Sequence, residues 1–271
     1  MTPGGFLAEI VRAARREVGA PGYLDSVGPP AGRSRVSLRA AVERDRARGA
    51  LVVEFKRVSP GRPDPRLPER PIPEFVGATE AAGVSGYSCL ATRARFEGSP
   101  SDVRQLAMAT ARPVLFKDFV VEPVQIDAAE RAGASAVLLI ARLATEAHLE
   151  HPLPELAAYA HDRGLEVLLE FHRSTELSAA SGVAADMYGV NVRDLDTLAI
   201  ERATAFETLR TARERGLAPL LGLSGVEGPV EARAFWRASV DGILVGSAVA
   251  RSKTPDRFLK SLFRPEAGGR A

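Results

Sequence analysis

The chain of 271 residues contains a single cysteine, so it cannot form an internal disulfide. It has no apolar run near the length of about 18 residues that is typical of a membrane-spanning helix. It also shows no secretory signal of the usual charged, apolar and small-residue pattern. These absences predict a protein of a reducing compartment, so we expect a cytoplasmic location and no membrane partner.

A strong excess of one charge sign is missing as well. Lys and Arg together number 36 and Asp and Glu 34, for a formal net charge of +2, and the arginines are scattered along the chain. This distribution does not indicate a nucleic-acid-binding surface. The 4 histidines show no paired metal-ligand spacing with a third ligand, and no Gly-x-Gly-x-x-Gly follows the first apolar run. We therefore expect neither a metal nor another cofactor.

Short apolar runs rich in Val, Leu and Ile alternate with segments of helical periodicity. Continuous apolar strands between amphipathic helices predict a parallel sheet covered by helices. The predicted strands lie at residues 51–55, 87–90, 114–116, 137–140, 167–169, 187–190, 219–221 and 243–245. The clearest predicted helices lie at residues 73–82, 124–132, 156–163, 205–215 and 230–238.

Similar joints recur where predicted helices meet strands. The phrases Ala82-Gly83-Val84-Ser85, Ala132-Gly133-Ala134-Ser135 and Ser181-Gly182-Val183-Ala184 return at a nearly constant interval. Glycine at such a joint ends a helix in the left-handed conformation. Repeated two-unit βα modules and eight strands predict a closed α/β fold, the (β/α)8 or TIM barrel, with an open doubly wound sheet as the alternative.

We expect one barrel domain over residues 1–271. Residues 1–48 form an N-terminal helical extension and linker, in which residues 6–18 have a helical pattern of their own. Residues 264–271 are interpreted as a flexible tail. The proline-rich segment 60–73 follows the first strand and is predicted to be a long loop and a candidate lid.

Charged side chains close three of the apolar runs. Glu54 and Lys56 end the first predicted strand, Lys117 the third, and Glu170 the fifth. Because the carboxyl ends of parallel strands meet at one rim of a barrel, we expect two ammonium groups and two carboxylates around one cavity. The pattern predicts a catalytic rim.

The order and spacing of the motifs resemble the indole-3-glycerol-phosphate synthase family of tryptophan biosynthesis. The resemblance spans residues 6–263, nearly the whole chain. It is carried by Glu54-x-Lys56-x-x-Ser59-Pro60, Arg95-Phe96-x-Gly98-Ser99, Lys117-Asp118-Phe119, Leu138-Leu139-Ile140, Glu166-Val-Leu-Leu-Glu170, Gly189-Val-Asn191-x-Arg193-Asp194-Leu195, Ser224-Gly225 and Leu244-Val-Gly246-Ser247.

The resemblance implies a carbon-carbon lyase. Its substrate is the sugar phosphate 1-(2-carboxyphenylamino)-1-deoxyribulose 5-phosphate, which loses CO2 and water on closing an indole ring. By resemblance Lys117 is the general acid, Lys56 contacts the substrate carboxylate or acts as an acid in the dehydration, and Glu170 is the base or stabilises a cation. Glu54 then holds a lysine in register. The catalytic set is completed by Asn191 and Ser224.

Two further parts of the site follow. The loops after strands seven and eight of such barrels commonly bind phosphate through backbone N–H groups. The predicted substrate and phosphate contacts are Ser59, Arg193, Gly225, Gly246 and Ser247. The predicted apolar slot for the aryl ring consists of Phe96, Phe119, Leu138, Leu195, Leu223 and Leu244.

The chain departs from the family pattern at three places. Leu223 stands where the family usually has Glu, Leu90-Ala91-Thr92 replaces Leu-Thr-Glu, and Gly61 replaces a Ser after Ser-Pro. Two alternatives to the main function therefore stay open. One is a paralogue acting on a substituted anthranilate derivative in specialised metabolism, and the other is a catalytically impaired barrel that binds a sugar phosphate. We expect a monomer or a weak homo-oligomer.

Overall fold

The computed structural model describes residues 5–61 and 63–265, and its centre is a closed parallel barrel. Each strand pairs with the next along the chain, and β8 pairs with β1. The predicted (β/α)8 barrel is confirmed. The strands are β1 Ala50–Phe55, β2 Gly86–Leu90, β3 Val114–Lys117, β4 Ala136–Ile140, β5 Glu166–Phe171, β6 Met187–Asn191, β7 Leu220–Leu223 and β8 Gly242–Val245.

Helices follow most strands, and several begin with proline in the first turn, where a missing N–H costs no helical hydrogen bond. The fifth βα unit is an exception, because a 3-10 helix, Ser174–Ala180, follows β5. The α-helices are α1 Phe6–Val18, α2 Leu38–Asp45, α3 Ile72–Glu80, α4 Pro100–Ala109, α5 Pro123–Arg131, α6 Ala141–Thr145, α7 Leu153–Asp162, α8 Arg202–Glu214, α9 Pro229–Arg237, α10 Ser247–Arg251 and α11 Pro255–Lys260.

The two faces of each strand pack in different cores. In β1, Leu51 and Val53 belong to the core between barrel and helices, whereas Val52 belongs to the core inside the barrel. Successive side chains of a strand point to opposite faces. Glu54 therefore points inward, and the equivalent alternation turns Lys117 and Glu170 inward at the carboxyl ends of β3 and β5. The lower layers of the interior are apolar and the uppermost layer is charged.

Helix α1 covers the barrel at the carboxyl ends of the strands. Its buried side chains Leu7, Ile10 and Val11 join the interior core together with Phe119 and Leu195, which lie in the loops after β3 and β6. The predicted extra N-terminal helix is thus confirmed. It places Phe6 next to the cavity that these loops surround.

Helix α2 seals the opposite end. Ser37 caps its first turn by accepting a hydrogen bond from the backbone N–H of Ala40. Glu166, the first residue of β5, accepts hydrogen bonds from the N–H groups of Leu38 and Arg39 at 2.8 and 3.0 Å. A carboxylate at a helix N-terminus satisfies unpaired N–H groups and complements the helix dipole. The barrel floor is closed by this contact.

Arginines fasten the extension and the C-terminal end to the barrel. Arg33 donates hydrogen bonds to the carbonyls of Thr110 and Arg112 at 3.1 and 2.9 Å. Arg264 donates a hydrogen bond from its backbone N–H to the carbonyl of Arg48 at 2.8 Å. The rest of the predicted tail, residues 266–271, lies outside the described residues. Across the described ranges no helix is long and apolar enough to span a membrane.

Candidate active site

Glu54 bridges the two lysines of the rim. One carboxylate oxygen, Oε1, lies 2.6 Å from Nζ of Lys56, and the other, Oε2, lies 3.7 Å from Nζ of Lys117. The side chain of Glu54 is 3% exposed and each lysine side chain 16% exposed. The structure thus brings together the ammonium groups that the sequence placed at the ends of β1 and β3.

The shared position changes the ionisation of the pair. Burial by itself would raise the pKa of Glu54, but the adjacent charges of Lys56 and Lys117 outweigh burial and hold the pKa below its usual value. Burial lowers the pKa of Lys56, which Glu54 opposes, and the nearby charges of Lys117 and Arg193 add to the lowering. Lys56 is therefore an ammonium group that gives up its proton more readily than an ordinary lysine does.

Glu170 faces the cavity from β5. Its Oε1 accepts a hydrogen bond from Nδ2 of Asn191 at 3.2 Å and lies 3.4 Å from Nε2 of His172. Its Oε2 has no hydrogen-bond partner among the described residues. Asn191 is in turn fixed by the N–H of Arg193, which donates to its Oδ1 at 3.0 Å. One oxygen of Glu170 is held by the protein and the other is left for a ligand.

A cavity that is partly open to solvent lies above these groups. Its apolar side contains three aromatic rings: Phe6 and Phe96 pack edge to face at 6.1 Å between centroids, and Phe96 and Phe119 lie 6.1 Å apart. Phe96, Phe119, Leu138 and Leu195, predicted for the aryl slot, all line this cavity. Sequence reasoning missed Phe6, Leu90, Asp118, Ile140 and Leu198.

The other two predicted slot residues lie elsewhere. Leu223 is fully buried inside the barrel, where its Cδ1 is 2.7 Å from the position that a Cβ on Gly189 would occupy. Leu223 is not among the residues that line the cavity, and Leu244 lines a smaller neighbouring cavity. The register pairs Leu223 with Asn191, which does line the cavity, and with Leu244, so position along the strand alone does not separate these residues.

The smaller cavity is formed by the loops after β7 and β8. It is lined by Gly225, Gly246 and Ser247, which the sequence predicts as phosphate contacts. A Cβ on Gly246 would lie 2.8 Å from Oε1 of Glu54, so no larger residue fits without moving that carboxylate. The hydroxyl of Ser247 is 3.0 Å from that of Ser59, which places Ser59 at the same end.

The two cavities meet at the charged rim. Glu54, Lys56, Arg193 and Ser224 line both of them. Arg193 donates a hydrogen bond from Nη1 to the carbonyl of Leu198 at 2.7 Å, so its guanidinium is held in the loop after β6. A ligand with an apolar ring at one end and an anionic group at the other would place its middle against the lysines.

The loop between β1 and α3 forms one side of this rim. Val58 and Arg66 form an antiparallel bridge, and the N–H of Ser59 donates to the carbonyl of Pro65 at 2.7 Å. Gly61, where the family usually has a Ser, has a φ of +84° and lies against Leu198. The predicted long loop therefore packs at the cavity mouth, with glycine at a position where a side chain would be strained.

A buried ionic group beneath Glu170 is not predicted by the sequence. The spacing of the histidines indicates only that a metal site is not expected, and Arg142 and Glu176 belong to none of the sequence motifs. The alternation of β5 supplies one signal, since it turns residues 170 and 172 to the same face. The two carboxylates beside His172 belong to β5 and to the 3-10 helix that follows it, and Arg142 reaches Glu176 from the segment after β4, an approach that is visible only in the fold.

A closed barrel with buried lysines and carboxylates at the carboxyl ends of its strands is the architecture of the barrel enzymes, whose active sites lie at that face. The particular family is given by comparison of sequences. The profile of indole-3-glycerol phosphate synthase matches residues 8–262. The chain belongs to the indole-3-glycerol phosphate synthase family, which confirms the resemblance noted in its motifs.

Individual relatives agree with this assignment. The indole-3-glycerol phosphate synthase of Exiguobacterium sibiricum is 34% identical over 213 residues, covering 79% of this chain and 80% of that protein. A protein of the same description from Staphylococcus aureus is 31% identical over 260 residues, covering 95% of this chain and 96% of its own. A thiamine phosphate pyrophosphorylase structure from Pyrococcus furiosus shares the fold, with a TM-score of 0.57, 20% identity and coverage of 83% of this chain and 96% of that chain.

Proposed function

We propose that the protein is a carbon-carbon lyase that converts 1-(2-carboxyphenylamino)-1-deoxyribulose 5-phosphate into indole-3-glycerol phosphate, CO2 and water. The observation that carries the proposal is the junction of the two cavities at Glu54, Lys56, Arg193 and Ser224. An aromatic-lined cavity, a glycine-lined cavity and two buried ammonium groups between them match the aryl ring, the phosphate and the reacting carbonyl of this substrate.

The substrate would lie across the rim. Its aryl ring fits the apolar cavity beside Phe96 and Phe119, where burial of aromatic surface contributes binding energy. Its phosphate fits the smaller cavity, where Gly225 and Gly246 leave the backbone accessible and Ser59 and Ser247 supply hydroxyl groups. The carbonyl carbon of the ribulose then lies near the lysines.

The first step is bond formation between the aryl carbon that carries the carboxylate and the carbonyl carbon. The carbonyl oxygen gains negative charge in this step, and Lys117 donates a proton to it. Loss of CO2 returns the electron pair to the ring. Lys56, whose pKa burial lowers, either binds the substrate carboxylate or donates the proton with which the new hydroxyl leaves as water.

Glu170 completes the dehydration. As the hydroxyl leaves, positive charge develops at the ring nitrogen of the substrate, and Oε2 of Glu170 stabilises that charge or accepts the proton that is lost. Asn191 holds the opposite oxygen at 3.2 Å, which fixes the carboxylate plane. Glu54 keeps both lysines in register from below.

The substitution at Leu223 does not favour a modified substrate. Leu223 is fully buried and is not among the residues that line the aromatic cavity, so it offers no surface to a substituent on the aryl ring. The residues proposed to carry the chemistry are all present at the rim. We therefore propose the unsubstituted compound as the substrate, ahead of a substituted anthranilate derivative or of binding without catalysis.

The setting that suits this reaction is tryptophan biosynthesis in the cytoplasm. The substrate is a small phosphorylated metabolite, and the one cysteine, Cys89, is buried and free. The chemistry of the proposed steps is supplied by side chains of the chain itself. A monomer or a weak homo-oligomer is sufficient, because every residue of the proposed site lies in one chain.

The deciding experiment mixes the purified protein with the unsubstituted substrate and records indole absorbance and fluorescence against time. We expect the indole signal to grow, with release of one CO2 for each product molecule. Parallel assays with ring-substituted substrates measure preference. Turnover of a substituted compound with no turnover of the unsubstituted one would replace the proposed substrate, and tight binding without any turnover would replace the proposed reaction.

A further inference from the structure

His172 lies between two carboxylates just beyond the end of β5. Its Nε2 is 3.4 Å from Oε1 of Glu170, and its Nδ1 is 3.7 Å from Oε2 of Glu176. The side chain is 2% exposed, and neither ring nitrogen has a hydrogen-bond partner among the described residues. The nitrogens of a buried imidazole are usually hydrogen-bonded, and these two carboxylates are the acceptors that face the ring.

Glu176 is itself fixed on the far side. Its Oε2 accepts a hydrogen bond from the backbone N–H of His172 at 2.7 Å, and its Oε1 accepts one from Nε of Arg142 at 2.9 Å. Arg142 also donates from Nη1 to Asp194 at 2.9 Å. We call His172, Glu176, Arg142 and Asp194 the His172 cluster. The ion pairs of Arg142 with Glu176 and Asp194 hold their geometry firmly, because they are charge-assisted hydrogen bonds.

The His172 cluster joins the three segments that follow β4, β5 and β6. Arg142 lies in α6, Glu176 in the 3-10 helix after β5 and Asp194 in the loop after β6. The side chains of these three residues are 3 to 6% exposed, so water screens their charges weakly. The His172 cluster reaches the cavity through the approach of His172 to Glu170.

Glu170 is held unequally by its neighbours. Oε1 accepts a hydrogen bond from Asn191 at 3.2 Å and faces His172. Oε2 has no hydrogen-bond partner in the part of the chain that the structure describes. We propose that His172 is a positioning residue for Glu170, itself held by Glu176 and Arg142, and that Oε2 of Glu170 faces the substrate. This inference rests on the proposed function, in which Glu170 acts on the cationic intermediate.

The charges around the imidazole give it a second effect. Glu170 and Glu176 face the ring directly, Arg142 and Asp194 lie behind Glu176, and the half-exposed Arg173 reaches Asp194 at 3.2 Å. A neutral imidazole donates from one nitrogen only, whereas an imidazolium donates to both carboxylates. His172 therefore couples the hydrogen bonding of Glu170 to that of Glu176.

The kinetic test uses His172→Leu, His172→Gln and Glu176→Gln. Because a displacement of about 1 Å in a catalytic group can cost about a hundredfold in rate, we expect His172→Leu to lower kcat by about ten- to a hundredfold and to leave KM near the wild-type value. The amide of His172→Gln restores a donor toward Glu170, so most of the lost kcat should return. Glu176→Gln should lower kcat in the same direction as His172→Leu.

Glu146→Gln is the matched control. Glu146 also approaches Arg142, at 3.8 Å, but its side chain is 42% exposed and it lies outside the His172 cluster. We expect wild-type kcat from this variant. Equal losses in Glu146→Gln and Glu176→Gln, or a raised KM with an unchanged kcat in His172→Leu, would overturn the positioning role. If His172→Leu does not fold, the comparison of His172→Gln with Glu176→Gln decides.

A measurement without turnover distinguishes this proposal from the proposed function. Nitrogen NMR of histidine-labelled protein, with the His172 signals assigned from His172→Gln, reports the hydrogen bonding and charge surroundings of the ring directly. Glu170→Gln should shift the His172 signals, and Glu146→Gln should not. If the wild-type protein fails to make the indole product, the proposed function falls while this result still stands or fails on its own.

Discussion

Lys56 and Lys117 share Glu54 but stand at different distances from it. Lys56 is 2.6 Å from one oxygen, close enough for a strong charge-assisted hydrogen bond, while Lys117 is 3.7 Å from the other. The shorter contact holds the ammonium group of Lys56 beside the carboxylate. Lys117 is bound less tightly and can turn toward a substrate oxygen, which is the behaviour required of the first proton donor.

The first prediction follows from that difference. Lys117→Met keeps roughly the length of the side chain but removes the ammonium group that would donate the proton. We therefore expect kcat to fall by about a hundredfold or more, the scale of general acid catalysis. Binding should change less than turnover. The exposed Lys253→Met serves as the control for a lost charge. A near-wild-type kcat in Lys117→Met would remove this residue from the mechanism.

The second prediction concerns Leu223, the residue that replaces a family carboxylate. Because Leu223 is fully buried, Leu223→Glu must bury a carboxylate, and Leu223→Gln is its neutral match. An unpaired buried polar group costs about 1 to 3 kcal/mol, and we expect both variants to lose about that much free energy of unfolding in urea. If the new carboxylate contacts the lysines, kcat should rise and the pH profile should change in Leu223→Glu but not in Leu223→Gln.

The same pair of variants tests the alternative of a modified substrate. A methylene in a pocket wall changes discrimination by about tenfold or more, but Leu223 does not belong to the cavity lining. The ratio of kcat/KM for substituted and unsubstituted substrates should therefore stay within about tenfold of the wild-type ratio. A larger change in Leu223→Gln would place the side chain in contact with the aryl ring after all.

At the scale of elements, the loop after β7 depends on backbone conformations that side chains tolerate poorly. Gly225 has a φ of +71°, and a Cβ on it would lie 2.4 Å from Cγ2 of Val192. Ser224, just before it, also has a positive φ, of 65°. The left-handed conformation costs a non-glycine residue about 1 to 2 kcal/mol. The turn after β7 therefore needs glycine for two reasons, conformation and space.

The third prediction compares Gly225→Ala with Gly182→Ala. Gly182 has a φ of +77°, and a Cβ added to it would meet no described atom within 4 Å, so its variant should lose only the conformational cost of about 1 to 2 kcal/mol. Gly225→Ala should lose more, because Val192 must move, and should also raise KM for the phosphorylated substrate. Equal stability losses, together with a normal KM in Gly225→Ala, would show that the phosphate binds elsewhere.

The elements themselves are predictable because each carries a local pattern. The apolar runs locate all eight strands, and β1, for example, differs from its predicted range by one residue. Helix α4 is not among the predicted helices, although Ser99 caps it by accepting a hydrogen bond from the N–H of Asp102 and Pro100 begins it. Its apolar positions are interrupted by polar ones, so the start signal stands without a clear helical period behind it.

The site is predictable only as far as strand ends determine it. Glu54, Lys117 and Glu170 meet because the register of a closed barrel brings the ends of its strands together. Phe6 and the His172 cluster cannot be found in this way, because they enter the site from the N-terminal helix and from loops whose path depends on packing. Leu223 is not among the residues that line the cavity although its strand partner Asn191 is, a distinction that spacing along the chain does not contain.

At the scale of the whole molecule, the His172 cluster also ties stability to pH. Burial opposes the ionisation of Asp194, but the N–H groups of Thr197 and Asp196 and the guanidinium of Arg142 outweigh burial and hold the pKa of Asp194 well below its usual value. A carboxyl group with a lowered folded-state pKa stabilises the fold above its unfolded-state pKa, about 3.9 for Asp, and the contribution disappears as pH falls toward the folded-state value.

The fourth prediction follows from that sign. Asp194→Asn should lower the free energy of unfolding near neutral pH by about 1 to 3 kcal/mol, because Arg142 loses a charged partner. The difference from wild type should shrink as pH falls below about 4, because the carboxyl group of the unfolded chain takes up protons there while the folded one stays ionised to lower pH. Urea unfolding at a series of pH values measures this, with the exposed Asp162→Asn as control. A constant difference across pH would contradict the role assigned to Asp194.

The helix that closes the barrel floor has a consequence for the order of events in catalysis. Glu166 is hydrogen-bonded to the first turn of α2, and apolar side chains fill the lower layers of the barrel. Within the described ranges, substrate and product must therefore enter and leave the cavity at the opposite end, beside α1. A blind pocket of this kind admits one occupant at a time. The indole product must therefore depart before fresh substrate enters, and product added to the assay should inhibit competitively with respect to substrate.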